Sequence, residues 1–389
     1  MIEIENLDVV FGRHPQSALP LLDQGEDREQ IREKTGQVVG VKNASLTVGH
    51  GEICVLMGLS GSGKSSLLRC INGLNPVARG AIRIERDGTM VDFVSADASV
   101  QRDIRQRLVS MVFQKFALMP WLTVEENVAM PLEVQGLDRA EIQRRVNEQL
   151  ELVGLSEWRH LKPGKLSGGM QQRVGLARAL AIETDILLMD EPFSALDPLI
   201  RTQLQDELLM LQKKLKKTIL FVSHDLDEAL KLGNHIAIMK DGEIVQHGKP
   251  EDIVLNPAND YVRDFVAHTN PLNVLRASSI MWPLKDFSAE KEGFCLNRRD
   301  DYWLSSDKKA VIVNGNRQDI YFWQSGDTIE QLGKHPVCVP EDFPMREAME
   351  LLYHTGHSVF VHSGEGIAGV IRDRELYHTL LGKMLSEDD

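Results

Sequence analysis

The chain has 389 residues, long enough for two or three domains, and its 42% apolar and 26% charged residues describe ordinary globular protein rather than disorder. A formal net charge of -13 at pH 7 argues against a general nucleic-acid binder, which needs a basic excess. The four cysteines (Cys54, Cys70, Cys295, Cys338) show no metal-type pairing and suit a reducing compartment, where they read as inert core residues.

The first residues, Met1-Ile2-Glu3-Ile4-Glu5, lack the basic start and apolar run of a signal peptide. No apolar stretch approaches the ~18 residues of a membrane span, so any membrane link is expected to run through another subunit. Ile2, Ile4, Leu7 and Val9 mark a first strand over residues 2 to 10. Residues 13 to 38 then interrupt what should be a continuous sheet. Within them, residues 25 to 36 are helix-like but polar nearly all round, the pattern of an exposed insertion. Strand signals resume at Val38 to Val41 and Ala44 to Val48.

Glu52 to Met57 reads as a buried strand that feeds a glycine loop, with a helix from Lys64. Residues 115 to 181 are mostly helical in pattern. Ile142, Val146, Leu150 and Val153 share one face there, and Gly154 supplies the stop. Strand–helix alternation returns with Asp185 to Asp190, Leu199 to Lys217 and Thr218 to Val222. Leu204, Leu208, Leu211 and Leu215 form the helix's apolar stripe. Lys213, Lys214, Lys216 and Lys217 fit a solvated helix end that offsets the dipole better than a nucleic-acid patch. Ile236 to Met239, Asp241-Gly242 and Glu243 to Gln246 read as a hairpin. After Asn270-Pro271 the composition shifts, and three of the five tryptophans (Trp282, Trp303, Trp323) follow. A domain boundary is expected near residues 268 to 275. Phe343 to Leu381 reads helix, strand, glycine turn, strand, helix.

Three runs carry chemistry. Gly58-Leu59-Ser60-Gly61-Ser62-Gly63-Lys64-Ser65 matches the phosphate-loop pattern G-x-x-x-x-G-K-[ST]. Its glycines let backbone N–H groups face phosphate oxygens without Cβ clashes, and the following helix adds its positive dipole end. Lys64 should reach the β- and γ-phosphates and Ser65 should coordinate Mg²⁺. Asp190 ends an apolar strand, so its carboxylate should emerge beside the phosphates as the Mg²⁺-organising acid. Glu191 next to it can polarise an attacking water. The third run, Leu166-Ser167-Gly168-Gly169-Met170-Gln171-Gln172, places a serine N-cap and small residues at a helix start, an anion site in principle. Alone, it would fit a serine-capped structural helix better.

All three runs in this order resemble the ATP-binding subunits of ABC transporters. That resemblance implies an α/β P-loop NTPase fold: a RecA-like core and a helical subdomain over about residues 90 to 165, within an ATPase domain spanning 1 to 270. It implies ATP and Mg²⁺ as ligands and a homodimer in which the signature loop of one copy closes over the nucleotide of the other. Nucleotide contacts would then come from Phe11, Gly58, Ser60, Gly61, Ser62, Gly63, Lys64, Ser65, Ser66, Ser167, Gly168, Gly169, Gln171 and Asp197. Metal contacts would come from Ser65, Gln114 and Asp190, and catalysis would rest on Glu191, His224, Gln114 and Lys64. Phe11 matches the aromatic that stacks on adenine, with a core phenylalanine as the alternative. Gln114 in Met111-Val112-Phe113-Gln114 matches the glutamine that senses Mg²⁺ and contacts the membrane subunit. Ser194-Ala195-Leu196-Asp197 matches the loop that crosses the dimer interface. His224 matches the histidine that touches the γ-phosphate.

More narrowly, Phe11-Gly12, His14-Pro15-Gln16, Glu33-Lys34-Thr35-Gly36 and Phe116 to Pro120 resemble the ATPases of glycine betaine, proline betaine and choline importers. That implies a peripheral subunit on the cytoplasmic face of the plasma membrane, working with membrane permease subunits and, indirectly, a periplasmic substrate-binding protein. ATPases of other importers (polyamine, methionine, sugar) share the chemistry, and soluble ABC proteins form a further alternative. Residues 276 to 389 are similar to a CBS domain whose first half, 276 to 335, is degenerate. Arg372 and Glu375 stand where adenosine-binding CBS modules carry Ser/Thr and Asp, which argues for dimerisation or bracing over nucleotide sensing. The acidic end Ser386-Glu387-Asp388-Asp389 fits a frayed terminus better than a salt-screened sensor. The residues do not name the cargo.

Overall fold

The computed structural model describes residues 1–194, 196–267, 270, 274–290, 293–297, 301–364 and 366–380. Two compact units result, Met1–Val266 and Ala267–Asp389. The expected boundary at 268 to 275 falls largely on residues outside those described, as does the acidic end.

The first unit opens with β1 (Ile2–Phe11), α1 (Leu19–Asp23), α2 (Arg28–Thr35) and β2 (Val38–Val48). Next come β3 (Ile53–Met57), α3 (Lys64–Ile71), β4 (Arg79–Arg86) and β5 (Thr89–Asp92). A helical stretch follows: α4 (Ala98–Arg107), a short β6 (Val109–Val112), α5 (Val124–Val134), α6 (Arg139–Leu152) and α7 (Gly168–Ala181). The unit closes with β7 (Ile186–Asp190), α8 (Pro198–Leu215), β8 (Thr218–Val222), α9 (Leu226–Leu232), β9 (His235–Lys240), β10 (Glu243–Gly248), α10 (Pro250–Leu255) and α11 (Asp260–Val266).

Two sheets share one core. Strands β2-β1-β4-β5 form an antiparallel sheet, and β10-β9-β3-β8-β7-β6 form a second. In the second, β9, β3, β8, β7 and β6 run parallel. Strands β3, β7 and β8 are buried at every position, as continuous apolar runs require when both faces of a parallel sheet are covered. The register pairs Leu56 with Val222, Asp190 with Val222 and Val112 with Met189, so the carboxyl ends of four strands share one edge. That edge is where ligands bind in open α/β sheets.

The insertion helix is mostly exposed over residues 25 to 36, as expected, but it is also anchored. Its helix α2 buries Ile31 completely, and a satellite core of Val10, Ala18, Leu22, Ile31 and Val39 pins it to β1 and β2. One apolar residue in the whole helix sufficed, which a reading of its polar composition overlooks. Helices of the second region begin at Ala98; residues 89 to 92 are still sheet. On α6, Val146 and Leu150 are buried, and Gly154 ends the run at φ +67°. On α8, Leu204 and Leu208 are buried, but Leu215 is exposed because Lys216 ends the helix at φ 49°. Lys217 is not solvated as expected: its ammonium donates to the Thr184 carbonyl, and burial lowers its pKa.

The second unit contains α12 (Ala277–Ile280), β11 (Trp282–Pro283), β12 (Ala289–Glu290), β13 (Gly293–Asn297), β14 (Tyr302–Ser305), β15 (Ala310–Val313), β16 (Asn316–Asp319) and β17 (Tyr321–Phe322). It continues through β18 (Val337–Pro340), α13 (Met345–Thr355), β19 (Val359–Ser363), β20 (Gly366–Ile371) and α14 (Asp373–Leu380). The order helix, strand, strand, helix over 345–380 is the one read from the sequence; Glu365 of the glycine turn and Leu381 lie outside the described residues. Residues 276 to 335 are not a degenerate copy of it. Strands β12 to β16 form a five-stranded antiparallel meander instead. Asn314 and Gly315, at φ 49° and 75°, make its last tight turn, an Asn-Gly pairing that favours two-residue hairpins. The meander shares a core with this unit's other sheet, of order β11-β20-β19-β18-β17, through Leu304, Val311, Phe360 and Val370. The tryptophans are engaged singly: Trp323 packs edge-on against Phe343 at 5.1 Å, and Trp303 donates to Asp301 at 2.8 Å.

Candidate active site

The phosphate loop joins β3 to α3. Its glycines are required by geometry. Gly58 sits at φ 140° with a hypothetical Cβ 2.1 Å from the Met239 carbonyl oxygen, and Gly63 at φ 106° with one 2.4 Å from that of Gly40. Lys64 opens α3 and is only 6% exposed. Its Nζ curls back to donate to the carbonyls of Gly58 (2.7 Å) and Leu59 (3.0 Å). Burial pushes the Lys64 pKa down, while Glu191 and Asp190 oppose that shift. Among the described residues the Ser62 hydroxyl is buried without a hydrogen-bond partner. An orphaned donor, a lysine on replaceable carbonyls and a helix N-terminus together fit a polyphosphate. Ser60 and Gly61 are exposed, and Ser66 is half-buried with its carbonyl accepting from Asn75 Nδ2. Phe11, at the end of β1, lays its ring on Gly40, the residue facing Gly63; it is half-buried and also packs on the core.

The strand ends supply the acids. Asp190 is fully buried, its Oδ1 accepting from Ser65 Oγ at 2.7 Å. Its Oδ2 accepts from Arg69 Nε (3.2 Å) and Nη2 (2.8 Å). Arg69 escaped the sequence reading, although it lies four residues beyond Ser65 on the same helix face. Glu191 takes a left-handed turn at φ 45°, held by its N–H to the Val222 carbonyl at 3.1 Å. This aims its carboxylate at two groups: Gln114 Nε2 donates to Oε2 at 2.9 Å, and His224 Nδ1 lies 3.4 Å from the same oxygen. Behind His224, Glu228 is buried against Ser223 and Gln205, and burial raises its pKa.

The signature loop forms a separate group. Ser167 caps α7 by accepting from Met170 N at 3.3 Å. Asp197 caps α8 by accepting from Ile200 N at 3.1 Å. Ser167, Gly168, Gly169, Leu196 and Asp197 line one groove of about 420 Å³. Among the described residues no hydrogen bond joins this groove to the phosphate loop, and Ala195 lies outside them. Gln171 turns back on its own loop, donating to the carbonyls of Pro163 (3.1 Å) and Leu166 (3.2 Å). Those contacts hold the loop's shape rather than reach outward.

Beside Gln114 runs a more apolar groove of about 440 Å³, lined by Leu74, Met111, Phe113, Met119 and Met130 among others. Arg178 of α7 shapes its wall by donating to the Phe116 (2.8 Å) and Ala117 (2.7 Å) carbonyls. Both residues sit at positive φ. The helix that starts at the signature thus also holds the loop that carries Gln114. In the second unit, Arg372 and Glu375 pair with each other. Glu375 is fully buried and accepts from Arg372 N at 2.8 Å and Nε at 3.0 Å. Arg372 also donates to the Leu296 carbonyl at 3.2 Å and lies over the Phe287 ring at 5.0 Å.

A family model described as "ABC transporter" matches residues 41–194, and one described as "CBS domain" matches residues 329–382. The glycine betaine/proline betaine transport system ATP-binding protein of Escherichia coli (strain K12) is 52% identical over 279 residues, 72% of this chain and 69% of that protein. The glycine betaine/carnitine transport ATP-binding protein of Listeria monocytogenes is 41% identical over 384 residues, 95% of each chain. A solved dimeric ATP-binding cassette in a post-hydrolysis state, bound to ADP and Pi, is 32% identical with a TM-score of 0.54. It covers 64% of this chain and 99% of that one. The chain belongs to the ATP-binding subunits of the ABC transporter family. Its activity is that family's ATP hydrolysis coupled to transport. Among the described residues no helix is long and apolar enough to cross a membrane.

Proposed function

We propose that this chain energises the import of a quaternary-amine osmolyte (choline, glycine betaine or a related compound) through a separate membrane permease, from the cytoplasmic face of the plasma membrane. What carries the cargo class is the relative from Listeria, a glycine betaine/carnitine transport protein whose similarity runs along 95% of both chains, second unit included.

Two copies hold two ATP molecules between them. In each site Lys64 exchanges the carbonyls of Gly58 and Leu59 for phosphate oxygens, and the Ser62 hydroxyl gains the partner it lacks. Phe11 offers a ring to the base. The second copy's signature groove closes over the γ-phosphate, with Asp197 at the shared boundary and Gln171 acting through loop shape. Ser65, Asp190 and Gln114 are the residues to hold Mg²⁺, which when bound supplies charge stabilisation to the phosphoryl oxygens. Glu191 accepts the proton of the attacking water. Gln114 and His224 keep its carboxylate aimed, and His224 is placed to follow the γ-phosphate. Subdomain closure moves the Gln114 loop, and the apolar groove beside it receives a permease helix. The second unit, with its Arg372–Glu375 pair closed on itself, braces or dimerises the assembly.

The test is uptake. Cells carrying this chain with its own permease should accumulate labelled glycine betaine or choline under osmotic stress, and Glu191→Gln should abolish that accumulation. Uptake of neither compound, with ATPase intact, would refute the cargo class.

A further inference from the structure

The insertion of residues 13 to 38 has no role in the reaction described so far. Its helix α2 nevertheless touches the phosphate loop. Asp27 caps α2 by accepting from Gln30 N at 2.8 Å, while Gln30 Oε1 accepts from Asp27 N at 3.2 Å. This reciprocal cap fixes Arg28 as the first helical residue. Ile31, one turn on, is fully buried, so the helix cannot swing freely about that cap. The far end is tied as well: Gln37 donates to the Thr35 carbonyl at 2.9 Å and accepts from His14 N at 3.1 Å.

From this anchored position the Arg28 guanidinium bridges two backbone segments. Its Nε donates to the Val39 carbonyl at 2.7 Å, and its Nη1 donates to the Gly61 carbonyl at 3.0 Å. Val39 precedes Gly40, on which the Phe11 ring rests and whose carbonyl faces Gly63. Gly61 sits at φ 81° with nothing within 4 Å of where a side chain would begin. Of the loop glycines Gly58, Gly61 and Gly63 it is the one with open space at that point, and a glycine there has the widest conformational freedom. A hydrogen bond from a charged donor to its carbonyl fixes the plane of the Gly61–Ser62 peptide. No described carboxylate forms an ion pair with Arg28, so its charge is not neutralised beside a loop built for anions.

We infer that the insertion is part of the nucleotide machinery, with Arg28 as a positioning residue that ties α2 to the phosphate loop. Loop geometry, and with it nucleotide affinity, depends on the insertion. Linkage makes the dependence reciprocal: nucleotide in the loop must in turn stabilise α2. The inference rests on the reading of Gly58 to Ser65 as the nucleotide site.

Two measurements on the full chain test it. The first titrates a non-hydrolysable ATP analogue with Mg²⁺ into wild type, Arg28→Gln and Arg28→Lys. Loss of a charge-assisted bond predicts about tenfold weaker binding for Arg28→Gln, with partial rescue by Arg28→Lys and an unchanged Tm of the nucleotide-free chain. The second follows amide exchange of residues 28 to 36 in wild type. Protection should rise when the analogue binds, and the rise should vanish in Arg28→Gln. Normal binding by wild type with no change in α2 exchange would overturn this inference alone, as would equal affinity in Arg28→Gln. A wild-type chain that binds no nucleotide would overturn the phosphate-loop reading and this inference with it.

Discussion

The two units handle buried charge in opposite ways. In the ATPase unit Asp190 is paired with Arg69 and Ser65, but the groups around it keep capacity in reserve. Lys64 rests on backbone carbonyls, Ser62 has no partner among the described residues, and Glu191 is held by a glutamine amide and a histidine. In the second unit Arg372 and Glu375 consume each other, with Leu296 and Phe287 filling the remaining side of the guanidinium. The first arrangement can exchange its partners for a ligand's; the second is an ion pair between neighbouring side chains of the fold. The same residue types therefore serve reaction in one unit and cohesion in the other.

The largest effect that would break this contrast is at Glu191. Glu191→Gln should lower ATP hydrolysis by about 10²–10⁴-fold, measured as phosphate release, while nucleotide binding persists. A near wild-type rate would move Glu191 into the cohesive class. Next is the second unit's pair. Arg372→Met alone should cost about 3–5 kcal/mol of that unit's stability, because it removes the arginine charge from a buried carboxylate. Adding Glu375→Leu should recover most of the loss in chemical denaturation, and no recovery would mean the pair does more than hold the fold. Third, Gly63→Ala should cost about 1–3 kcal/mol of strain and weaken nucleotide binding tenfold or more, since its Cβ would meet the Gly40 carbonyl.

The smallest effect concerns Glu228, whose carboxyl pKa is raised by burial. Its ionised form is disfavoured in the folded chain, so stability falls as pH rises from the unfolded value through the raised one. Ser223 has one hydroxyl hydrogen and two acceptors, the Asp225 carbonyl and Glu228. A protonated Glu228 resolves that conflict by donating to Ser223. Glu228→Gln should thus raise Tm slightly at pH 8 and leave it unchanged near pH 4. A drop in Tm at pH 8 would show that the ionised carboxylate is the stabilising form.

Contiguous chemistry is legible in the order of the residues alone. The phosphate loop, the Asp190-Glu191 pair and the signature run depend on local spacing, so strand, loop and helix assignments place them on their elements. What escapes such reading depends on residues far apart in the chain. Arg69 meets Asp190 across 121 positions and Arg28 meets Gly61 across 33, and neither pair has a spacing rule. Arg178 holds the Gln114 loop from 61 positions away. Reading 276 to 335 as a worn helix–strand copy passes over the Asn314-Gly315 turn, a strong hairpin signal, because resemblance to a paired module favours a repeat there. Ile31 alone turns a polar segment into a packed element, below what composition reveals.

Nucleotide sites completed by two chains are the central claim, and mixing two inactive variants tests that most directly. Lys64→Ala removes the phosphate grip and Ser167→Arg blocks the signature groove. A dimer of one of each still pairs one intact phosphate loop with one intact signature. The account predicts that the mixture occludes one ATP per dimer where either variant alone occludes none; a mixture as inert as its components would contradict it.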